Sequence, residues 1–295
     1  MAGDVWTIQR ILEWTCGYLE RKGDEHPRLS AEWLLSDATG LSRVELYMSF
    51  DRPLSGDELA RMHEGVERRG AGEPLQYVTG EMAFRHIVVR CEPGVLIPRP
   101  ETEVLVEVAL EALHDQRGDA PALVMEPCTG TGCVACSLAR ERSKTHVVAT
   151  DISLRAASLA RRNRDALGLS GLVDVLECDL LGGVEPRLMG HADLLISNPP
   201  YIPSETVRTL PGEVRDFEPG LALDGGPDGL AVLRRLLDVA PRALNPGGVF
   251  AAELFEDTLD VAASLARAQG IWQRVEVRED LTHRPRVLLA VRADA

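Results

Sequence analysis

Leu123-Val124-Met125-Glu126-Pro127-Cys128-Thr129-Gly130-Thr131-Gly132 is an apolar run that passes into a glycine-rich turn and then into a helical pattern over 134–142. Glycines at such a turn let the backbone approach a ligand closely. The turn alone is weakly specific, because nucleotide and dinucleotide folds share it. The G-x-x-x-x-G-K-[ST] phosphate pattern is absent, which argues against an NTPase. The flanking pattern decides the fold. Runs at 147–149, 173–176, 194–197 and 249–254 read as strands, and helical patterns at 154–167, 230–244 and 259–268 separate most of them. That alternation predicts an α/β domain whose parallel sheet is covered on both faces. Two further runs, 275–278 and 287–291, have no helix-length segment between them and predict an antiparallel pair that closes the sheet.

Working outward toward the start of the chain, helical spacing appears at 7–21, 30–39 and 42–48, with Gly40 as a C′ residue. Ser55-Gly56-Asp57-Glu58 is a capping box that opens a fourth helix ending near Gly70. Helices this short bury little surface alone, so a small bundle leaning on something larger is expected. Trp14 and Trp33 are expected in its core rather than on a partner-facing surface of the bundle. Ile87-Val88-Val89, between Gly80 and Gly94, predicts a hairpin that links the bundle to the main domain. The resulting division is 1–75 helical, 76–98 hairpin linker and 99–295 α/β domain. A helix is expected from about 101 to 114. Its Glu101 and Glu103 serve either the helix N-terminus or a pocket mouth.

The ends of the strands carry the chemistry. Asp151 ends the second strand, at the distance beyond the glycines where a carboxylate meets a ribose hydroxyl pair. Asp179 ends the third, in Cys178-Asp179-Leu180, and is suited to accept from an adenine amino group. Either aspartate taken singly is equally well explained as a helix N-cap or loop residue. The fourth strand, Leu194-Leu195-Ile196-Ser197, runs into Asn198-Pro199-Pro200-Tyr201. Two consecutive prolines fix their own φ and push the residue before each out of the helical region. The Asn198 side-chain oxygen and the Pro199 carbonyl then form a rigid pair of acceptors beside an aromatic ring. Such a shelf suits a planar NH2 group. In open α/β sheets, ligands bind beyond the carboxyl ends of the strands.

Composition narrows the function classes. The 295 residues are 45% apolar, with 32 Lys+Arg against 46 Asp+Glu and a formal net charge of -14. A nucleic-acid binder usually carries a basic stripe, so direct nucleic-acid binding is not expected. No signal-like segment or membrane-length apolar run is present, which predicts a cytoplasmic protein without membrane contact. The six cysteines are scattered, so no disulfide framework and no metal site are expected. Cys133-Val134-Ala135-Cys136 is expected inside a helix, as small buried packing residues.

Together these residues resemble class I methyltransferases that use S-adenosylmethionine. More narrowly, the chain is similar to the protein-(glutamine-N5) methyltransferases that modify peptide-chain release factors. The resemblance spans nearly the whole length and rests on several motifs. They are Gly72-Glu73-Pro74-Leu75-Gln76-Tyr77, Val95-Leu96-Ile97-Pro98-Arg99-Pro100-Glu101-Thr102-Glu103, Thr129-Gly130-Thr131-Gly132, and Asn198-Pro199-Pro200-Tyr201. Further on are Val214-Arg215-Asp216-Phe217-Glu218-Pro219, Ala222-Leu223-Asp224-Gly225-Gly226 and Pro246-Gly247-Gly248. The Ile-Pro-Arg-Pro-Glu-Thr-Glu segment is the more specific, since NPPY-like motifs also occur in adenine-N6 methyltransferases.

The resemblance implies a seven-stranded, mostly parallel Rossmann-like sheet and a helical N-terminal domain that recognises substrate. It implies that Cys128, Thr129, Gly130, Thr131, Gly132, Asp151, Ile152, Asp179, Leu180 and Asn198 surround S-adenosyl-L-methionine. Asn198, Pro199, Pro200 and Tyr201 would hold the glutamine of a release factor's Gly-Gly-Gln loop, with Asn198, Pro199 and Tyr201 as the catalytic set. Two places depart from the family pattern. Cys128 replaces a glycine of the cofactor loop, after Glu126-Pro127 in place of Asp-Leu, and Glu253-Leu254-Phe255-Glu256-Asp257 replaces a Glu-His-Gly segment. They leave open a second acceptor, a small molecule bearing a free amide or an arginine guanidino nitrogen.

Overall fold

The computed structural model describes residues 5–294, so the outermost positions of the expected first and last segments, 1–4 and 295, lie outside the described residues. The chain forms two compact units. One runs to Glu81 and takes in Pro211–Phe217; the other comprises Met82–Leu210 and the chain from Glu218 onward.

The first unit contains α1 (Ile8–Arg21), α2 (Pro27–Thr39), α3 (Arg43–Met48), α4 (Gly56–Gly70) and α5 (Leu75–Thr79). On α1, the residues Ile8, Ile11, Leu12, Thr15 and Leu19 are buried in one helical stripe. Ser42 and Ser55 each head a complete capping box with Glu45 and Glu58. The second helix begins at Pro27, ahead of the expected start. Proline is pre-shaped for the first helical position, and the Asp24 carboxylate accepts from the His26 N–H and the Ser30 hydroxyl to hold the entry. The short α5 was not expected; Gly80 ends it in a left-handed cap at φ +78.

The two tryptophans depart from expectation. Trp14 is 46% and Trp33 39% exposed, because neither falls on its helix's buried stripe. Trp14 stacks on Tyr18, and the Arg43 guanidinium lies 5.9 Å from the Trp33 ring. Pro211–Phe217 is tied into this unit by Arg69, which bonds both Asp24 and Glu213.

The second unit begins one residue into the hairpin strand β1 (Glu81–Phe84) and continues with β2 (Ile87–Arg90), α6 (Thr102–Arg117), β3 (Ala122–Pro127), α7 (Cys133–Glu141), β4 (Thr145–Asp151), α8 (Leu154–Ala166), β5 (Val173–Glu177) and β6 (Ala192–Ser197). The chain then makes the one-turn helices α9 (Ser204–Val207), α10 (Gly212–Arg215, in the first unit) and α11 (Gly220–Leu223). It finishes with α12 (Ala231–Ala243), β7 (Leu244–Glu253), α13 (Leu259–Ala268), β8 (Trp272–Glu279) and β9 (Pro285–Arg292).

The strands form one seven-stranded sheet in the order β5-β4-β3-β6-β7-β9-β8. All the pairings from β5 to β7 are parallel, and β9 is antiparallel to both neighbours. The expected antiparallel closure is therefore present, with β9 slotted inside β8. Every residue of β6 is buried, as a strand covered on both faces requires.

Alternation sorts the side chains into two cores. Val124, Val147, Leu194 and Ile196 face one side, joined there by the hairpin's Phe84, Ile87 and Val89. Met125, Val148, Leu195 and Phe250 face the other, under α12 and α13. Cys133 and Cys136 are buried in α7, as expected of packing residues. Strand order reverses between β3 and β6, which makes that junction the topological switch point where α/β sheets open a ligand crevice.

Candidate active site

The turn after β3 and the corner after β6 lie side by side at the switch point, and a cavity of about 190 Å³ opens there. Of the residues picked out in the sequence, Cys128, Gly130, Asp151, Ile152, Asp179, Leu180, Asn198 and Pro200 line it. Thr129 and Thr131 are buried behind it, Pro199 is buried and Tyr201 half-buried. Sequence reasoning missed several lining residues. Gly94, Val95 and Leu96 come from the segment that leads into Ile-Pro-Arg-Pro, and Pro219, Leu221 and Ala222 from α11 and its approach. The motifs containing them were visible, but nothing in their residue types announced a cavity wall.

Local hydrogen bonds shape the glycine-rich turn. The Thr129 N–H donates to the Thr150 carbonyl at 3.0 Å, and its hydroxyl donates to Glu126 at 3.0 Å. Burial raises the Glu126 carboxyl well above the ordinary range, against the pull of Thr129 and of the Ala135 backbone toward its charged form. Cys128 has φ +64, in the left-handed region a glycine would favour, so the backbone turn survives the substitution. Burial pushes its thiol up to about 12, leaving it a neutral lining group. Gly132, at φ +79, sits where a Cβ would lie 3.1 Å from the Ala160 methyl, so α7 approaches α8 closely at that point. Asn163, which the sequence reading overlooked, donates to the Thr131 carbonyl at 2.9 Å and accepts from the Arg90 N–H at 2.8 Å.

The carboxylates at the next two strand ends differ. Asp151 accepts from the Gly130 N–H and the Ser153 N–H, each at 2.9 Å. Burial raises its carboxyl, and these backbone donors pull it back down. Asp179 is half-exposed and pairs with Arg235 at 2.6 Å across the cavity rim. Leu180 has φ +47, a strained value for a branched side chain, and its carbonyl is held by the Thr150 hydroxyl.

The diproline corner is fixed from both sides. Ser197 ties the end of β6 to β3 by donating to the Pro127 carbonyl at 2.7 Å. Gly225 lies so close to the corner that a Cβ there would fall 2.7 Å from the Tyr201 Cα, and the Gly225 N–H donates to the Ile202 carbonyl at 2.8 Å. The Asn198 Nδ2 donates to the Thr102 hydroxyl at 3.0 Å, which leaves Oδ1 as the acceptor available on the cavity side. The Tyr201 hydroxyl donates to Glu253 at 3.0 Å. Glu218, buried, accepts from the Ile97 N–H and from Arg99, joining two motifs far apart in sequence. Glu103 accepts from the Arg85 N–H at 3.1 Å and so braces the hairpin. Among the described residues, no cluster of His, Cys, Asp and Glu is placed to hold a metal ion, and no helix is long and apolar enough to cross a membrane.

Known proteins share both units. A PrmC N-terminal domain model matches residues 10–80, and a methyltransferase small domain model matches residues 102–210. A protein of Rhodopirellula baltica named release factor glutamine methyltransferase is 40% identical over 284 residues, covering 96% of this chain and 95% of that one. The chain belongs to the release factor glutamine methyltransferase family. Members so named from Geobacter sulfurreducens and Moorella thermoacetica are 45% and 39% identical, covering 85% and 98% of this chain and 85% and 99% of theirs.

Solved structures agree on the fold. A methyltransferase from Pyrococcus furiosus superposes with a TM-score of 0.50 at 20% identity, covering 70% of this chain and 88% of that one. The hMettl16 catalytic domain gives 0.57 at 15% identity, covering 83% and 85%. This member of the release factor glutamine methyltransferase family is thus an enzyme of the methyltransferase class with a Rossmann-like sheet.

Proposed function

We propose that the chain transfers a methyl group from S-adenosylmethionine to the side-chain amide nitrogen of the glutamine in the Gly-Gly-Gln loop of peptide-chain release factors. One observation supports this most: Asn198 stands in the same cavity as Asp151 and the glycine turn, with its Nδ2 engaged by Thr102 and its oxygen left for a guest. The protein acceptor is favoured over a small molecule because the similarity to the named relatives runs through both units. Neither departure from the family pattern removes a feature of the site. Cys128 preserves the left-handed turn, and Glu253 remains buried and bonded to Tyr201.

The cavity fits the cofactor's chemistry. The Asp151 carboxylate is suited to a ribose diol, Ile152, Leu180 and Val232 offer apolar contact to a purine, and nothing lies within 4 Å of where a Gly130 Cβ would stand. When bound, S-adenosylmethionine supplies an electrophilic methyl on a sulfonium sulfur.

The residues of the chain do the rest by positioning. An amide nitrogen is a poor nucleophile because its lone pair is delocalised into the carbonyl. Asn198 Oδ1 and the Pro199 carbonyl would accept the two N–H bonds of the glutamine amide and hold its nitrogen for attack, the methyl's bond to sulfur breaking as its bond to nitrogen forms and leaving a neutral thioether. Placement at about 3–3.5 Å supplies several kcal/mol of the barrier. Tyr201, steered by Glu253, packs against the amide and limits its rotation. The same two acceptors stabilise the positive charge that grows on nitrogen. The proton leaves afterwards to water. A methyl-transfer assay offering a release factor, free glutamine and arginine side by side tests the reading. The release factor alone is the expected acceptor, and transfer to either amino acid at a comparable rate would overturn it.

A further inference from the structure

We propose that Thr102 and Glu253 are positioning residues that set which way round the Asn198 amide stands, and so decide whether the site can hold an NH2 group. The proposal rests on reading Asn198 as the acceptor for the substrate amide. A carboxamide has two orientations of nearly equal shape, one showing oxygen to the cavity and the other NH2. Only the first is useful here, because two NH2 groups face to face repel. The choice must come from the neighbour on the other side of Asn198, and that neighbour is a hydroxyl, which can donate or accept.

Glu253 removes the ambiguity. It is 1% exposed, and its Oε1 already accepts from Tyr201 at 3.0 Å. Its Oε2 is buried with no hydrogen-bond partner among the described residues, and the Thr102 hydroxyl is among the neighbouring groups that favour the carboxyl's charged form. A buried acceptor left unpaired is costly, so the Thr102 proton turns toward Oε2. Only lone pairs of Thr102 then face Asn198, and Nδ2 must be the end that meets them. Thr102 is itself 2% exposed at the first position of α6, where a β-branched side chain has few rotamers to choose from. One buried carboxyl thus directs both hydroxyls that flank the clasp.

The arrangement depends on charge. Burial raises the Glu253 carboxyl above the ordinary glutamate range and Glu101 adds to the rise, whereas Thr102, Tyr201 and Arg286 pull it back toward the charged form. Protonation would let Oε2 donate to Thr102 and release the Thr102 proton toward Asn198, reversing the amide.

Release-factor methylation at saturating S-adenosylmethionine, with calorimetric titration of the cofactor on the same samples, tests this. Thr102→Val should lower kcat by about 10²-fold with cofactor Kd changed less than about twofold, and Thr102→Ser should restore kcat to within about threefold. Glu253→Gln, whose amide can donate to Thr102, should lower kcat by about tenfold or more and lack the acid limb of the parent's kcat–pH profile. Parental kcat in Thr102→Val, or equal losses in the valine and serine variants, would overturn the proposal. Should Thr102→Val fail to fold, parental kcat in Glu253→Gln does the same. A parent chain that binds cofactor yet methylates no release factor sinks the functional reading instead, whatever the variants do.

Discussion

Cys128 shows how a residue can break a pattern and keep the geometry behind it. Its φ of +64 costs a non-glycine side chain about 1–3 kcal/mol. Cys128→Gly relieves that strain but loses thiol packing and gives the unfolded chain more freedom, so chemical denaturation should find it within about 1 kcal/mol of the parent. Asn198→Ala should leave S-adenosylmethionine affinity nearly intact while cutting turnover by about 10²-fold, as steady-state kinetics beside calorimetry would show. Asp151 carries a pH prediction. Because burial raises its folded-state carboxyl, the stability it contributes is present at low pH and is lost as pH rises through the raised value. Binding runs the other way, since the charged form accepts the ribose hydroxyls. Cofactor affinity should fall as pH drops through a value above the ordinary aspartate range, and Asp151→Asn should abolish that step in a calorimetric pH series. These three residues could be picked out in the sequence because their types, at strand ends, are unusual. Thr102 and Glu253 lay within motifs the sequence offered, but their role was not legible, because a threonine at a helix start and a glutamate ending a strand are commonplace until the fold brings them beside Asn198 and Tyr201.

At the scale of elements, the site is held by backbone contacts that tolerate no extra atom. Gly225 packs against the diproline corner, and its Cβ would fall 2.7 Å from both the Tyr201 Cα and the Gly229 carbonyl oxygen. Gly225→Ala should therefore displace the corner and lower kcat by about tenfold or more, with a smaller effect on cofactor Kd; equal effects on both would mean the shift spreads to the glycine turn. Gly132→Ala must adopt φ +79 and press on Ala160 of α8, at a cost of about 1–3 kcal/mol readable as a lowered denaturation midpoint. The sheet strands were legible because two-sided burial leaves continuous apolar runs, as in β6. The start of α2 and the whole of α5 were not. Pro27 and Asp24 extend the first beyond its apolar stripe, and the second is five residues long with one buried side chain, too short for periodicity to register. The allegiance of Pro211–Phe217 to the helical unit was equally invisible, since it depends on Arg69 bonding Glu213 across 144 positions of sequence.

For the whole molecule, family resemblance implied seven mostly parallel strands but not their order. Periodicity predicts strands and helices, whereas the slotting of β9 inside β8 depends on tertiary pairing. The proposed reaction requires a cofactor pocket and an amide clasp to stand together at one switch point. Tandem mass spectrometry of a release factor incubated with the chain and S-adenosylmethionine reads that placement directly. One added methyl on the side-chain nitrogen of the Gly-Gly-Gln glutamine, lost with Asn198→Ala while the variant still binds cofactor, is the predicted result. An unmodified glutamine from the parent enzyme, or full methylation by Asn198→Ala, would contradict it.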